Sequence, residues 1–169
     1  AYIDFGGVTS VPLLEKQKNL IVVKTLSKGF SLAGARLGYT VAAEQTTAAL
    51  FTVKDSFNSY PLDFISQKIG VTALNNLEYY GKIQKQIINT REAVRKELTA
   101  RGWEVLPSKA NFIFARKPGK AGRDLYSLLR GQGILVRHFD ISGIEDFIRI
   151  SIGTESEMEQ FLEACGRLL

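Results

Sequence analysis

Cysteine and histidine are almost absent from this sequence, which contains one of each, Cys165 and His138. A single cysteine excludes an internal disulfide framework and any multi-cysteine metal site, and it is compatible with a reducing cytosol. With a single histidine, we expect neither a histidine-based catalytic triad nor a multi-histidine metal site. Hydrolytic and zinc-dependent functions are therefore disfavoured, and we predict that no metal is bound.

Long hydrophobic runs are also missing. No apolar stretch approaches membrane-spanning length, and no secretory signal precedes the first predicted strand. The 169 residues are 45% hydrophobic, which is ordinary for a globular chain of one domain, or of one small domain plus part of another. We therefore predict a cytoplasmic protein that makes no membrane contact.

The net charge is +5, and much of the positive charge lies between Lys82 and Arg101. A basic segment can bind nucleic acid, but this one has apolar residues at helical spacing: Ile83, Ile87, Ile88, Val94 and Leu98. The pattern favours an amphipathic helix with a solvated basic face, because no aromatic interleaving or nucleic-acid motif accompanies it. We predict no nucleic-acid partner.

The stretch from Asn19 to Ala43 contains the most informative pattern. Leu20 to Val23 form a continuous aliphatic run, typical of a strand covered on both faces in a parallel sheet. Lys28 then lies just beyond the carboxyl end of this strand, which is the edge where open α/β sheets bind ligands.

Small and hydroxylic residues surround Lys28. The hydroxyls of Thr25 and Ser27 and the guanidinium of Arg36 are suited to binding a phosphate, and a nearby lysine amine can form an imine with an aldehyde cofactor. The alternative is a surface lysine after a core strand, with glycines that serve only as turn residues.

The remaining pattern predicts alternating short elements. We predict strands at Ala1–Phe5 and Leu37–Ala43, a short helix or turn at Val11–Lys18, and helices at Glu44–Lys54 and Phe64–Leu77. Asp63 is expected to cap the last helix, and Gly81 to interrupt before the basic helix. After Gly102 we predict strands at Trp103–Leu106, Asn111–Ala115, Ile134–Val136 and Phe147–Ile152, and helices at Arg123–Arg130 and Glu155–Leu169.

The lysine motif TLSKGFSLAGARLGY resembles that of the fold-type-I, pyridoxal-phosphate-dependent aminotransferases, and within them the histidinol-phosphate aminotransferases. The resemblance extends to AYIDFGG, KANFIF, GILVRHF and FIRISIGT. It implies an α/β fold: part of the large domain, with a parallel-type sheet and helices, followed by a small α+β carboxyl-terminal domain. The expected divisions are a partial cofactor-binding domain at 1–80, a connecting helix at 81–101 and the small domain at 102–169.

The resemblance also implies roles for individual residues. Lys28 would carry the cofactor imine and transfer the proton, with Ser27 and Arg36 on the cofactor phosphate and Thr25 nearby. Tyr2 would hydrogen-bond the ring oxygen of pyridoxal phosphate.

Three further residues match substrate positions. In FIRISIG, isoleucines alternate onto one strand face, so Arg149 projects from the other face with a planar fork suited to an anion. Arg149 matches the family's substrate-anion arginine, and Arg137 a second basic position that fits a substrate phosphate. Asn111 would position a polar group of the substrate, or it ends a turn.

The implied reaction converts histidinol phosphate and 2-oxoglutarate to imidazole acetol phosphate and glutamate, in histidine biosynthesis. The implied partners are small amino and keto acids and, in the full-length protein, a second copy of the chain. The alternatives are a threonine-phosphate decarboxylase or an aromatic aminotransferase of the same fold, or a non-catalytic cofactor-binding sensor domain of a regulator.

The chain contains about half of the family's pattern. The acidic partner of the pyridine nitrogen falls ahead of Ala1, and the glycine-rich phosphate turn, the ring-stacking aromatic and the ring-contacting asparagine are also absent. Asp4 is not expected to replace the acidic partner. We therefore expect the isolated 169 residues to have little or no activity.

Overall fold

The computed structural model describes residues 1–168, with only the backbone at Leu168, so the predicted helix end at Leu169 lies outside the described residues. The chain divides into two compact units, the first from Ala1 to Lys82 and the second from Ile83 onward. The boundary falls inside the longest helix, α3, at Leu77–Ala100.

The first unit is built from a two-stranded sheet and helices. Its elements are a 3-10 helix at Ile3–Phe5, a second at Val11–Glu15, strand β1 at Ile21–Thr25, a third 3-10 helix at Ala33–Ala35, strand β2 at Gly38–Ala42, helix α1 at Glu44–Phe57, helix α2 at Phe64–Leu74 and the start of α3.

Strands β1 and β2 pair antiparallel, with Lys24 opposite Tyr39. The parallel pairing predicted for the first strand is therefore wrong for this pair, and Val23, predicted to be covered, is 71% exposed. Gly38 permits the close approach of the two strands, because a Cβ atom there would lie 2.8 Å from the carbonyl oxygen of Lys24.

The strand predicted at Ala1–Phe5 is also wrong. Residues Ile3–Phe5 form one turn of 3-10 helix, in which the Phe5 amide donates to the carbonyl of Tyr2 at 3.0 Å. Gly6 ends the turn in the left-handed region at φ 97°, a conformation that glycine adopts without steric cost. The segment is short, so burial of Phe5 decides its conformation rather than strand propensity.

Helix α2 begins as predicted. The carboxylate of Asp63 accepts hydrogen bonds from the Ser66 amide at 2.8 Å and the Ser66 hydroxyl at 2.7 Å. These bonds, the hydroxyl's first, lower the pKa of Asp63 below its ordinary value. The predicted interruption at Gly81 is wrong, because α3 runs through it; one helix-interior glycine costs only about 1 kcal/mol.

The second unit is an α+β domain, as expected. Its further elements are β3 at Glu104–Val105, β4 at Phe112–Arg116, α4 at Gly122–Gly131, β5 at Arg137–His138, β6 at Ile148–Ser151 and α5 at Glu155–Leu168. The four strands form an antiparallel sheet in the order β3-β4-β6-β5.

The core of this unit lies between one face of the sheet and its helices. Ile148 and Ile150 of β6 are at most 2% exposed, and they pack with Val94 and Leu98 of α3. The amphipathic prediction for α3 is therefore confirmed at these apolar positions. Arg91 is an exception to the predicted solvated basic face, because it is 2% exposed.

Candidate functional site

Lys28 lies in the loop that connects β1 to β2. The Leu26 amide donates to the Leu37 carbonyl at 3.0 Å, and the Leu32 amide donates to the Leu26 carbonyl at 3.1 Å. These bonds close the loop at its base, so its residues are held in a defined conformation directly after β1.

The Lys28 side chain is exposed, whereas the apolar residues on either side of it in the loop are buried. Leu26 and Phe30 are 3% and 6% exposed, and they pack in a small core with Leu37 and with Ala73 of α2. Among residues 1–168, the Lys28 amine takes part in no hydrogen bond or ion pair. An amine in this position is available to react with a ligand.

Two hydroxyl groups lie next to this loop. The Thr25 hydroxyl donates to Ser27 Oγ at 2.9 Å, and it accepts from the Ser27 amide at 3.1 Å. The Thr25 hydroxyl also lies 3.4 Å from the Leu37 carbonyl and has one proton to donate. When that proton goes to Ser27 Oγ, the Ser27 hydroxyl proton remains available to donate to an anion. The two hydroxyls therefore lie within hydrogen-bond distance of each other, while the roles predicted for Ser27 and Thr25 at the cofactor phosphate stay predictions.

Arg36 lies near the end of the same loop. Its backbone is left-handed at φ 53°, as is that of Ser31 at φ 55°. Its Nη1 donates to the Ala33 carbonyl at 3.1 Å, which leaves the remaining guanidinium donors available. Two non-glycine residues in this sparsely populated region indicate a loop whose shape is imposed by its surroundings.

Tyr2 precedes the 3-10 turn and is half-buried. Two residues later, Asp4 forms an ion pair with Lys24 of β1. Sequence reasoning missed this pair, although a charged residue inside each of two short apolar segments is a signal that could have found it.

Arg137 and Arg149 lie in the second unit, on neighbouring strands. The predicted strand Ile134–Val136 is displaced to Arg137–His138, which puts Arg137 in the sheet itself, paired with Arg149. The predicted alternation of β6 is confirmed: its isoleucines are buried, Arg149 is half-buried and Ser151 is exposed.

Aromatic rings accompany the two arginines. The guanidinium carbon of Arg149 lies 5.2 Å from the centre of the Phe112 ring and 5.9 Å from that of Phe139, and Arg137 lies 5.5 Å from Phe139. Ring faces attract cations, so these rings stabilise the two guanidinium groups beside each other.

Asn111 lies immediately before β4, and its carbonyl accepts from the Ile152 amide at 2.9 Å. This bond is made by the backbone and extends the pairing of β4 with β6. The predicted role of the Asn111 side chain stays a prediction.

Within 1–168, no three histidine, cysteine or acidic side chains lie close enough together to hold a metal ion. No helix in this part of the chain is both long and apolar enough to cross a membrane.

The chain as a whole has counterparts among known proteins. A family model described as aminotransferase class I and II matches residues 1–165. The chain belongs to this family. It is 47% identical over 168 residues to a histidinol-phosphate aminotransferase from Syntrophus aciditrophicus, covering 99% of this chain and 46% of that protein.

A second relative and a solved structure agree with this assignment. A histidinol-phosphate aminotransferase from Chromohalobacter salexigens is 48% identical, over 97% of this chain and 47% of that protein. The crystal structure of histidinol-phosphate aminotransferase from Sinorhizobium meliloti with pyridoxal-5'-phosphate has a TM-score of 0.81 and 26% identity, covering 100% of this chain and 48% of that chain. The chain therefore spans about half the length of the relatives it matches.

Proposed function

We propose that the protein containing this chain is a pyridoxal-phosphate-dependent aminotransferase that transfers the amino group of histidinol phosphate to 2-oxoglutarate in histidine biosynthesis. Family membership and 47% identity to a protein of that name support the proposal. The structural observation that carries it is Lys28, which is exposed and whose amine makes no hydrogen bond or ion pair among residues 1–168, in the loop directly after the hydrogen-bonded hydroxyls of Thr25 and Ser27.

The donors in the first unit fit the chemistry of this cofactor. An unpaired primary amine suits an aldehyde, while an available hydroxyl at Ser27 and a guanidinium at Arg36 suit a phosphate. When bound, pyridoxal phosphate withdraws electrons from the substrate carbon and so makes its proton acidic.

We assign the protein's own steps to Lys28 and Tyr2. Lys28 would hold the cofactor through its amine, and the same amine, once displaced by the substrate amine, would be the base and then the acid that moves the proton at the substrate carbon. The Tyr2 hydroxyl would donate a hydrogen bond to the ring oxygen of the cofactor. Ser27 and Arg36 bind the phosphate, with Thr25 orienting Ser27.

Arg149, Arg137 and Asn111 are assigned to the substrate. Arg149 binds the anionic group common to amino donor and keto acid, because its fork can form two parallel hydrogen bonds. Arg137 binds the phosphate of the donor. The open groove beside Arg137 supports this assignment, since it is polar and is also lined by Arg123, Tyr126, Ser127 and His138. Asn111 orients a polar substrate group.

We further propose that the protein is a cytoplasmic homodimer. In this proposal residues 1–80 belong to the cofactor-binding domain, 81–101 connect it to the small domain, and 102–169 form that small domain. Family membership supports the dimer, and the single cysteine of this chain is compatible with a reducing compartment.

The substrate is tested by single-turnover rates of the full-length protein with histidinol phosphate, phenylalanine, threonine phosphate and glutamate. We expect histidinol phosphate and glutamate to react fastest. Preference for phenylalanine would instead indicate an aromatic aminotransferase, and carbon dioxide release from threonine phosphate a decarboxylase. Binding of the cofactor without turnover of any amine would indicate a sensor domain.

A further inference from the structure

The carboxylate of Asp4 lies between two parts of the lysine segment. Its Oδ1 atom forms an ion pair with Lys24 Nζ, and the two side chains are only 16% and 14% exposed. Lys24 Nζ also lies 5.9 Å from the centre of the Phe30 ring. This lysine is therefore engaged by an acidic and an aromatic side chain, unlike Lys28.

Gly29 packs closely against the same carboxylate. A Cβ atom added to Gly29 would lie 2.0 Å from Asp4 Oδ2 and 2.6 Å from Asp4 Cγ, well inside van der Waals contact. The φ angle of Gly29 is not in the left-handed region, so its backbone does not require glycine. The close approach of Asp4 is what requires it.

The Asp4 carboxylate depends on Lys24 for its charge compensation. Asp4 Oδ2 is buried and has no hydrogen-bond partner among the described residues, so the ion pair through Oδ1 is the main compensation for this anion. Removing one member of a buried pair is costly because the other charge stays buried and unpaired.

This contact joins the two segments that contain the proposed cofactor groups. Asp4 belongs to the 3-10 turn that directly follows Tyr2, and Gly29 directly follows Lys28. Phe5 anchors the turn at 1% exposure and Phe30 anchors the loop at 6%. The Asp4 carboxylate is therefore a direct link between the turn that follows Tyr2 and the loop that contains Lys28.

We propose that Asp4 and Lys24 are positioning residues. Their ion pair packs against Gly29 and so keeps Tyr2 at a fixed distance from the cofactor attached to Lys28. This inference rests on the proposed function, since it concerns the cofactor. It also explains why Lys24, a second lysine four positions before Lys28, does not compete for the cofactor aldehyde: its amine is held by Asp4.

The first test compares Lys24→Met with Tyr2→Phe in the full-length protein with bound cofactor. Both should shift the pH midpoint of the cofactor's visible absorbance in the same direction, and Lys24→Met should lower cofactor affinity about tenfold or more. The double variant should add little to Tyr2→Phe, because Lys24 acts through Tyr2. An unchanged midpoint in Lys24→Met with cofactor still on Lys28 would overturn the inference and leave the proposed function intact.

Two variants provide the controls. Lys24→Arg keeps a cation within reach of Asp4 and should restore the midpoint. Lys82→Met removes another lysine from an ion pair, with Glu78, but both of those side chains are more than three-quarters exposed, so no shift is expected. A shift in Lys82→Met equal to that in Lys24→Met would overturn the inference.

Gly29→Ala tests the contact between Gly29 and the Asp4 carboxylate without removing a charge. Its new methyl group must displace the Asp4 carboxylate, so this variant should move the absorbance midpoint in the direction of Lys24→Met. Gly34→Ala is the matched control, because a Cβ atom at Gly34 meets nothing within 4 Å. Equal effects of the two substitutions would contradict a specific contact with Asp4.

A measurement on the cofactor-free protein separates this inference from the proposed function. Hydrogen exchange of the peptides that contain residues 1–7 and 26–32 should increase together in Lys24→Met and stay unchanged in Lys82→Met. The double variant Asp4→Asn with Lys24→Met, which leaves neither charge of this ion pair in place, should reverse part of the increase in hydrogen exchange. If no cofactor attaches to Lys28, the proposed function fails, but the exchange result still decides whether the ion pair joins the two segments. An increase in exchange in only one of the two peptides would overturn the inference.

Discussion

Arg137 and Arg149 lie directly opposite each other in the antiparallel register of β5 and β6, and both guanidinium groups lie against the ring of Phe139. Like charges opposite each other in a sheet are destabilising. The ring of Phe139 offsets part of this repulsion, and a bound anion would offset more. The arrangement is thus suited to a ligand with more than one negative charge.

The two arginines should differ in their effect on the two half-reactions. Arg149→Ala should slow the reactions of both histidinol phosphate and 2-oxoglutarate, while Arg137→Ala should slow mainly that of the phosphorylated donor. The loss expected for one charge-assisted pair is about 2 to 5 kcal/mol. Single-turnover rates of each half-reaction measure this loss. Arg149→Lys should recover only part of the lost rate, because the point charge of lysine cannot reproduce the planar fork of arginine.

Arg116→Ala is the control on the same sheet, because Arg116 is already neutralised by Glu104 at 2.7 Å. It should leave both half-reactions unchanged. Equal losses for Arg137→Ala in both half-reactions would remove the assignment of this residue to the phosphate.

Burial of Arg91 predicts a large effect on stability. Its Nη1 donates to the Ala110 carbonyl at 2.9 Å and its Nε to Glu92 at 3.0 Å, inside the second unit. Arg91→Met should lower the free energy of unfolding by about 1 to 3 kcal/mol, because the buried carbonyl loses its charged donor. The midpoint of urea unfolding measures this loss.

Arg95→Met is the matched control for Arg91. Arg95 also donates to Glu92, at 2.8 Å, but both side chains are 44% exposed, so the expected loss is below about 1 kcal/mol. A smaller effect at Arg91 than at Arg95 would contradict the importance of its burial.

The Cys165 thiol should be unreactive in the folded protein. Burial raises its pKa to about 12, despite the opposing influence of Arg101. At pH 8 only about 10⁻⁴ of such a thiol is ionised, and the thiolate is the reactive form. Iodoacetamide at pH 8, followed by peptide mapping, should label Cys165 in urea and leave it unmodified without urea. Rapid labelling of the folded protein would show that the face of α5 that carries Cys165 is accessible to the reagent.

Much of the fold could be predicted because strong local patterns agree with the packing. The isoleucines of β6 alternate, and Asp63 caps α2 as its position before an apolar helix indicates. The predictions failed where packing overrides local pattern. Phe5 is buried in a 3-10 turn rather than a strand, and Gly81 is tolerated inside a helix whose later turns pack against a core.

Within the candidate site, residue type and spacing suggested Lys28, Ser27 and Arg36 but left a surface lysine as the alternative, and the roles of these residues rest on the resemblance of the lysine motif. The Lys24–Asp4 ion pair has only a weak signal, a charged residue inside each of two short apolar segments, because its members are 20 residues apart and meet only when the chain folds. The pairing of Arg137 with Arg149 likewise depends on sheet register, which no local pattern specifies.

The central claim is that Lys28 carries the cofactor. The direct test is borohydride reduction of the full-length protein with bound pyridoxal phosphate, followed by peptide mass mapping, with Lys28→Ala as the control. We predict that the label lies on Lys28, that Lys24 is unmodified, and that Lys28→Ala has no label in this segment. A label on Lys24 or another lysine, with Lys28 unmodified in active protein, would contradict the claim.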